Sequence, residues 1–197
     1  MAKNALLVVD VQNDFCSGGT LPVQGCDEIV PVINRYMARF ERDGFPVFAS
    51  RDWHPETTAH FIAFGGKWPA HCIQNTRGAR FRKQLKLPET VTILTKGTSG
   101  TGEGYTAFEG RDDTGTLFDE IIEKQGIRSL AVCGLATDYC VLHSVLDALE
   151  RGLRVYLLLD AIRGVDAHPG DSVGAIDAMI DKGAIPVTYE TLTLELE

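Results

Sequence analysis

The chain has 197 residues, 44% of them hydrophobic and 23% charged, with a formal net charge of −8. This balance excludes a disordered or fibrous chain, and the excess of 27 Asp+Glu over 19 Lys+Arg argues against a nucleic-acid platform or a basic membrane-surface protein. No apolar run approaches the roughly 18–20 residues of a membrane span, and the start Met1-Ala2-Lys3-Asn4 shows no leader cleavage pattern. Five cysteines, an odd number without a Cys-x-x-Cys pair, read as reduced thiols in a cytoplasm.

Short, branched apolar segments that suit strands buried on both faces recur along the chain. The first, at 5–9, precedes a helical stripe of Ile29, Val30, Ile33, Met37 and Phe40 that stops at Gly44. Strands are expected next at 45–49 and 91–94. Between them the segment 53–88 breaks the rhythm with Pro55, Pro69, Gly65-Gly66 and three of the five histidines, and reads as a functional loop insertion. Leu117, Ile121 and Ile122 form a stripe before Gly126. A strand at 129–133 leads to a stripe from Val141 to Leu149 before Gly152. A strand at 155–159, a stripe of Val173, Ile176 and Ile180 before Gly183, and a strand at 185–188 complete the pattern. Stripes that end on glycine fit helix C-caps. The alternation predicts an α/β fold: one domain over 1–197, three αβα layers and a mostly parallel sheet of about six strands.

Ligands of open parallel sheets bind beyond the carboxyl ends of the strands, so the residues that follow each strand carry the chemistry. Asp10 follows the first; Ser50, Arg51 and Asp52 follow the second; Thr95 and Lys96 follow the third. Cys133-Gly134 ends the fourth, whose next turn delivers Cys140, and Asp160 follows the fifth. Thr137 and Asp138 are N-cap types, which puts Cys140 in the first turn of a helix. There the helix terminus lowers a thiol's pKa and offers N–H groups to an oxyanion. Cys133, inside a strand, reads as a structural thiol. Alone, Asp10 and Lys96 are an ordinary salt-bridged pair; beside a thiol they become a base and a cation that holds thiolate and carboxylate. His143 shares a helical face with Cys140 but groups with Asp147 and Glu150 away from the apolar stripe, and His168 reads as a loop residue.

Asp52, His54, His60 and His71 form a second constellation, suited to a divalent transition ion such as zinc, manganese or iron. The glycine run 97–104 fits neither phosphate-binding template, because its lysine precedes the glycines and the Gly-x-Gly-x-x-Gly spacing is missing. A nucleotide cofactor is not expected.

These residues sit in stretches that resemble the nicotinamidases (pyrazinamidases) of the isochorismatase-like cysteine hydrolase family. The stretches are Asp10-Val11-Gln12-Asn13-Asp14-Phe15, Arg51-Asp52-Trp53-His54-Pro55, Trp68-Pro69-Ala70-His71-Cys72, Lys96-Gly97 and the run from Cys133 to Val141. The resemblance implies the isochorismatase-like hydrolase fold and a catalytic triad of Asp10, Lys96 and Cys140. It implies an oxyanion site on the backbone N–H groups of Ala136 and Cys140, with a cis peptide before Ala136. Asp52, His54 and His71 would ligate one divalent metal ion, zinc first and iron or manganese as alternatives; His60 is a fourth ligand only in some relatives. Phe15 and Trp68 would wall the substrate pocket, with Tyr105 as a further aromatic from a loosely matched loop. The implied activity is hydrolysis of nicotinamide and pyrazinamide through a cysteine thioester, in NAD salvage. A related metal-independent amidase acting on an N-carbamoyl compound or ureidoacrylate is the alternative. The expected partner is the small-molecule substrate, with no nucleic acid and no membrane, and the patterns are open to a homo-oligomer.

Overall fold

The structure, a computed structural model, describes residues 3–101 and 103–194. Met1 and Ala2, part of the start read for a leader, and Gly102 of the glycine run lie outside the described residues.

Among the described residues six strands and four α-helices follow one another: β1 (Lys3–Val9), α1 (Cys26–Arg42), β2 (Val47–Asp52), β3 (Thr92–Lys96), α2 (Phe118–Gln125), β4 (Ile127–Leu135), α3 (Leu142–Glu150), β5 (Arg154–Arg163), α4 (Asp171–Asp181) and β6 (Ile185–Val187). They form one sheet in the order β3-β2-β1-β4-β5-β6, and every neighbouring pair is parallel. Successive side chains of a strand point to opposite faces, and β1 shows this division. Leu6 and Val8 pack with Ile29, Ile33, Met37 and Phe40 of α1. Ala5, Leu7 and Val9 pack with Phe118 and Ile122 of α2, Val145 of α3 and Met179 of α4. The expected three-layer αβα fold is therefore present, with α1 on one face and α2, α3 and α4 on the other.

The chain builds β1, β2 and β3 outward in one direction, then returns to place β4 on the free side of β1. The ends of β1 and β4 flank the point where the strand order reverses, the place where such sheets open a crevice for ligand.

Two expectations are corrected. Asp160 is not beyond its strand: β5 runs on to Arg163, its pairing with β4 shifting register between Val132 and Gly134. The Asp160 carboxylate accepts hydrogen bonds from Tyr36 Oη (2.8 Å) and Tyr189 N–H (3.0 Å) and serves the α1 side of the sheet. Nor are all the thiols reduced. Cys16 and Cys26 form a disulfide, with Cα atoms 5.2 Å apart, whereas Cys72, Cys133 and Cys140 are free. The turn between the paired cysteines brings them together by passing so close to the preceding segment that a Cβ on Gly19 would lie 2.3 Å from the Asp14 carbonyl oxygen. No described helix is long and apolar enough to cross a membrane.

Phe118 is fully buried (0% exposed) and meets Phe48 edge-on at 4.9 Å. Phe118→Ala should lower stability by about 3–5 kcal/mol through lost burial and the cavity left behind. The check is a reduced urea midpoint at unchanged slope; an unchanged midpoint would contradict this account of the face.

Candidate active site

Four adjacent strand ends supply the central residues. β1 stops at Val9, and Asp10 leaves the strand at positive φ (48°). Asp52 and Lys96 are the last residues of β2 and β3 and stand opposite each other in register. β4 passes β1 at Gly134, where a Cβ would lie 2.1 Å from the Val9 carbonyl oxygen, so only glycine lets β1 and β4 close up here. Beyond it the Leu135–Ala136 peptide is cis, as the resemblance implies.

The Lys96 side chain is wholly buried. Its Nζ lies 2.7 Å from Asp10 Oδ2, pairs with Asp52 Oδ1, donates to the Gly104 carbonyl at 2.6 Å and stands 3.5 Å from Cys140 Sγ. Asp10 Oδ1 accepts from Ser50 Oγ at 2.7 Å. Burial pushes the Asp10 carboxyl above its ordinary range, against the pull of Lys96 and with the help of the Asp52 charge. At Asp52 burial acts in the same upward sense, but Lys96 and His54 outweigh it and hold the carboxyl well below the usual range. At Lys96 burial favours the neutral amine, and the two carboxylates overcome it and raise the pKa.

Cys140 differs from expectation. Thr137 and Asp138 do not cap a helix over it; 137–141 forms a π-helical turn in which Tyr139 and Val141 N–H both donate to the Ala136 carbonyl at 3.0 Å. Asp138 turns away and accepts from the N–H groups of Val165 (2.9 Å) and Asp166 (2.8 Å). The thiol is not acidified. Burial pushes its pKa well above the usual value, with Lys96 opposing and the two aspartates adding to the rise. A neutral thiol beside a basic carboxylate asks for proton transfer at the moment of attack.

His54, His60 and His71 converge so closely that one ligand atom from each lies within 4.8 Å of the others. The His54 and His60 rings stack at 4.7 Å. Both ring nitrogens of His54 are buried without a hydrogen-bond partner among the described residues, and Nε2 stands 3.7 Å from Asp52 Oδ2, too far for a hydrogen bond. His71 Nδ1 lies 2.7 Å from the Pro69 carbonyl, which leaves Nε2 for the cluster. Burial and the neighbouring imidazoles lower His60 to about 4, and burial lowers His71 as well, so both are neutral at pH 7. Three converging imidazoles, one of them with both nitrogens orphaned, beside a carboxylate are the donor set of a divalent transition ion, and these residues fit one.

The glycine run serves this cluster. Gly97 has φ +65°, and a Cβ there would lie 2.6 Å from His54 Cε1; Gly104, at φ +71°, backs onto Gly97 and offers Lys96 its carbonyl.

His60, His71, Asp52 and Cys140 line one pocket together with Phe15, Trp68 and Tyr105, and His54 lies behind it. Trp68 Nε1 donates to Tyr105 Oη at 2.9 Å, and Phe15 stands 5.4 Å from the His71 ring. Leu21, Val23, Leu135, Tyr139 and Val165 complete the wall. None of the five was singled out from the sequence: Leu135 and Tyr139 lie in the quoted run from Cys133 to Val141 without a role given to them, and Leu21, Val23 and Val165 come from loops that no periodicity or motif signals. Asp14 was missed too: its carboxylate accepts from Cys72 N–H at 2.8 Å and so fixes the chain just after His71. His143 is exposed and stacks on Tyr105 at 5.1 Å. His168 is a loop residue with a side chain 87% exposed.

The lowered histidines set a pH dependence. An unfolded histidine near 6.5 binds protons that folded His60, at about 4, refuses. Stability of the metal-free protein is therefore complete above about pH 6.5 and declines as the pH falls from there toward 4. Urea midpoints taken from pH 7.5 down to pH 5 should fall, and fall less in His60→Asn; equal profiles for the two proteins would refute the assignment.

Known proteins resemble this chain over nearly its whole length. The isochorismatase domain model matches residues 4–191. The nicotinamidase of Escherichia coli (strain K12) is 38% identical over 201 residues, covering 93% of this chain and 94% of the relative. The nicotinamidase/pyrazinamidase of Mycobacterium tuberculosis is 36% identical, covering 89% and 93%. Among solved structures, the pyrazinamidase of Pyrococcus horikoshii in complex with zinc superposes with a TM-score of 0.87 at 42% identity, over 95% of this chain and 99% of that one. A match over nearly the whole chain, with relatives above 30% identity at high coverage, makes this protein a member of the isochorismatase family.

Proposed function

We propose that the chain is a nicotinamidase that hydrolyses nicotinamide, and pyrazinamide by the same chemistry, to the free acid and ammonia through a thioester on Cys140. The observation that carries this reading is the meeting of Asp10, Lys96 and Cys140 with a three-histidine cluster, beside an aromatic pocket that Cys140, His60 and His71 line. The activities named for the relatives support it. A metal-independent amidase would have no use for the histidines.

The pyridine ring enters between Phe15 and Trp68, with Tyr105 fixing the Trp68 indole, and the carboxamide carbon faces Cys140. Asp52, His54, His60 and His71 would hold the divalent ion, zinc first, and its chemistry there is a Lewis-acid contact for the ring nitrogen. The reacting groups belong to the chain. Asp10 takes the thiol proton, and the sulfur pair attacks the carbonyl carbon while the C=O π pair moves onto oxygen. The backbone N–H groups of Ala136 and Cys140 receive that oxyanion; loss of one such donor costs about 3–4 kcal/mol in related chemistries. Asp10 gives its proton to the departing nitrogen, the C–N bond breaks, and ammonia leaves an acyl thioester. Asp10 then takes a proton from water, the hydroxyl oxygen attacks, and the C–S bond breaks to release the acid; Asp10 returns the proton to sulfur. The raised basicity of Asp10 suits both proton transfers, and Lys96 stays charged throughout, holding carboxylate and sulfur together. Salvage of NAD from nicotinamide is the physiological setting of this reading.

Two measurements test it. Purified protein supplied with zinc should release ammonia from nicotinamide, and a folded Cys140→Ala variant should lose at least about 10³-fold in kcat/KM. Retained turnover in that variant would refute the thioester. Chelation should depress turnover while iodoacetamide still alkylates Cys140. Loss of alkylation in a folded, metal-stripped protein would show that the thiol depends on the ion for its reactivity, against this division of roles.

A further inference from the structure

Gln12, two residues beyond Asp10, is fully buried (0% exposed) and lies outside the pocket wall. Its place follows from a mismatch in strand length. β1 and β2 pair as far as Val8 opposite Ala49, and the last backbone bond between them runs from Asp10 N–H to the Ser50 carbonyl at 3.2 Å. There the chain turns at Asp10 and β1 is over, while β2 continues to Asp52. The N–H and C=O of Asp52 point to the side that β1 has vacated. The Gln12 carboxamide fills the vacancy: Nε2 donates to the Asp52 carbonyl at 2.8 Å, and Oε1 accepts from Asp52 N–H at 2.8 Å. The second N–H of the amide donates to the Ala79 carbonyl at 2.9 Å. Only one orientation of the amide makes all three bonds, and each is buried. One side chain thus replaces the missing strand.

Asp52 has two tasks that demand an exact placement of its backbone, since Oδ1 pairs with Lys96 and Oδ2 faces His54. We propose that Gln12 is the positioning residue for Asp52, fixing its backbone so that one carboxylate serves the Lys96 ammonium and the metal ligand set at once. This rests on the metal reading given above. Gln12→Met keeps the length of the side chain and removes every hydrogen bond, leaving Asp52 N–H and two carbonyls buried and unpaired.

The test is zinc affinity, measured on metal-free protein by competition with a chromogenic chelator, together with the rate of Cys140 alkylation in the absence of metal. Folded Gln12→Met should bind zinc about 10- to 100-fold more weakly, the usual effect of losing a group that orients a ligand. Its thiol should be alkylated more slowly as Lys96 loses a fixed partner. Tyr36→Phe, which removes the bond to Asp160 on the α1 side, serves as the control: it should cost stability and leave zinc affinity unchanged. Should Gln12→Met fail to fold, Gln12→Glu takes its place with the same expectation, because it keeps the acceptor for Asp52 N–H and loses both donors. Wild-type zinc affinity in the folded Gln12 variant, or an equal loss in Tyr36→Phe, overturns the proposal. A wild-type protein that binds no zinc overturns the metal reading together with it, and that failure is told apart because it appears before any substitution is made.

Discussion

An ammonium group taken fully out of water carries a desolvation penalty of several kcal/mol unless charge and hydrogen bonds replace the solvent. Lys96 meets that condition with partners from separate parts of the fold: Asp10 from the end of β1, Asp52 from the end of β2 and the carbonyl of Gly104 from the loop after β3. Removing both carboxylates would strand the cation, and removing the cation would leave two buried carboxylates in repulsion. The cluster therefore fixes where three strand ends and one loop must stand. Cys140, 3.5 Å from the same ammonium, is added to an arrangement that already exists for electrostatic reasons.

The same cluster leads into the histidines. Asp52 reaches Lys96 with one oxygen and faces His54 with the other, so the two constellations read separately from the sequence share a residue. Two carboxylates against one ammonium also leave a negative charge unbalanced at depth when both are ionised, and orphaned imidazole nitrogens lie beside it. A divalent cation offsets that charge without any further side chain. Gly97 and Gly104 make the junction possible, since a side chain at Gly97 would occupy the space of the His54 ring.

Much of this was legible in the sequence, for identifiable reasons. The strands after which Asp10, Asp52 and Lys96 fall are short branched runs, and the helices are stripes that end on glycine; both signals come from periodicity and survive burial on two faces. Cys140 was found because it follows a strand and a turn. Its protonation was misread because a helix terminus was weighed without the burial that dominates here. Asp160 was misplaced because a shift in strand pairing leaves no trace in hydrophobicity. The disulfide could not be read because Cys16 and Cys26 meet through a turn whose path depends on contacts with Asp14. Leu21, Val23 and Val165 reach the pocket from loops, where neither period nor spacing constrains a position. The glycine run was rightly denied a phosphate, yet its steric purpose lay in a histidine more than forty positions earlier in the chain.

The order of the strands also divides the site along the chain. Everything on the β1–β2–β3 side, namely Asp10, Asp52, Lys96 and the three histidines, comes from a stretch in which neighbours in the sheet are neighbours in sequence. Cys140 arrives only with β4, which pairs Ile127 with Lys3. Closing so large a loop carries an entropic cost that local pairings avoid. A nascent chain that has emerged only as far as β3 already holds Asp10, Asp52, Lys96 and the three histidines, and it lacks the Cys140 sulfur that meets them in the folded protein. Completion of the candidate site is tied to the longest-range strand pairing in the sheet.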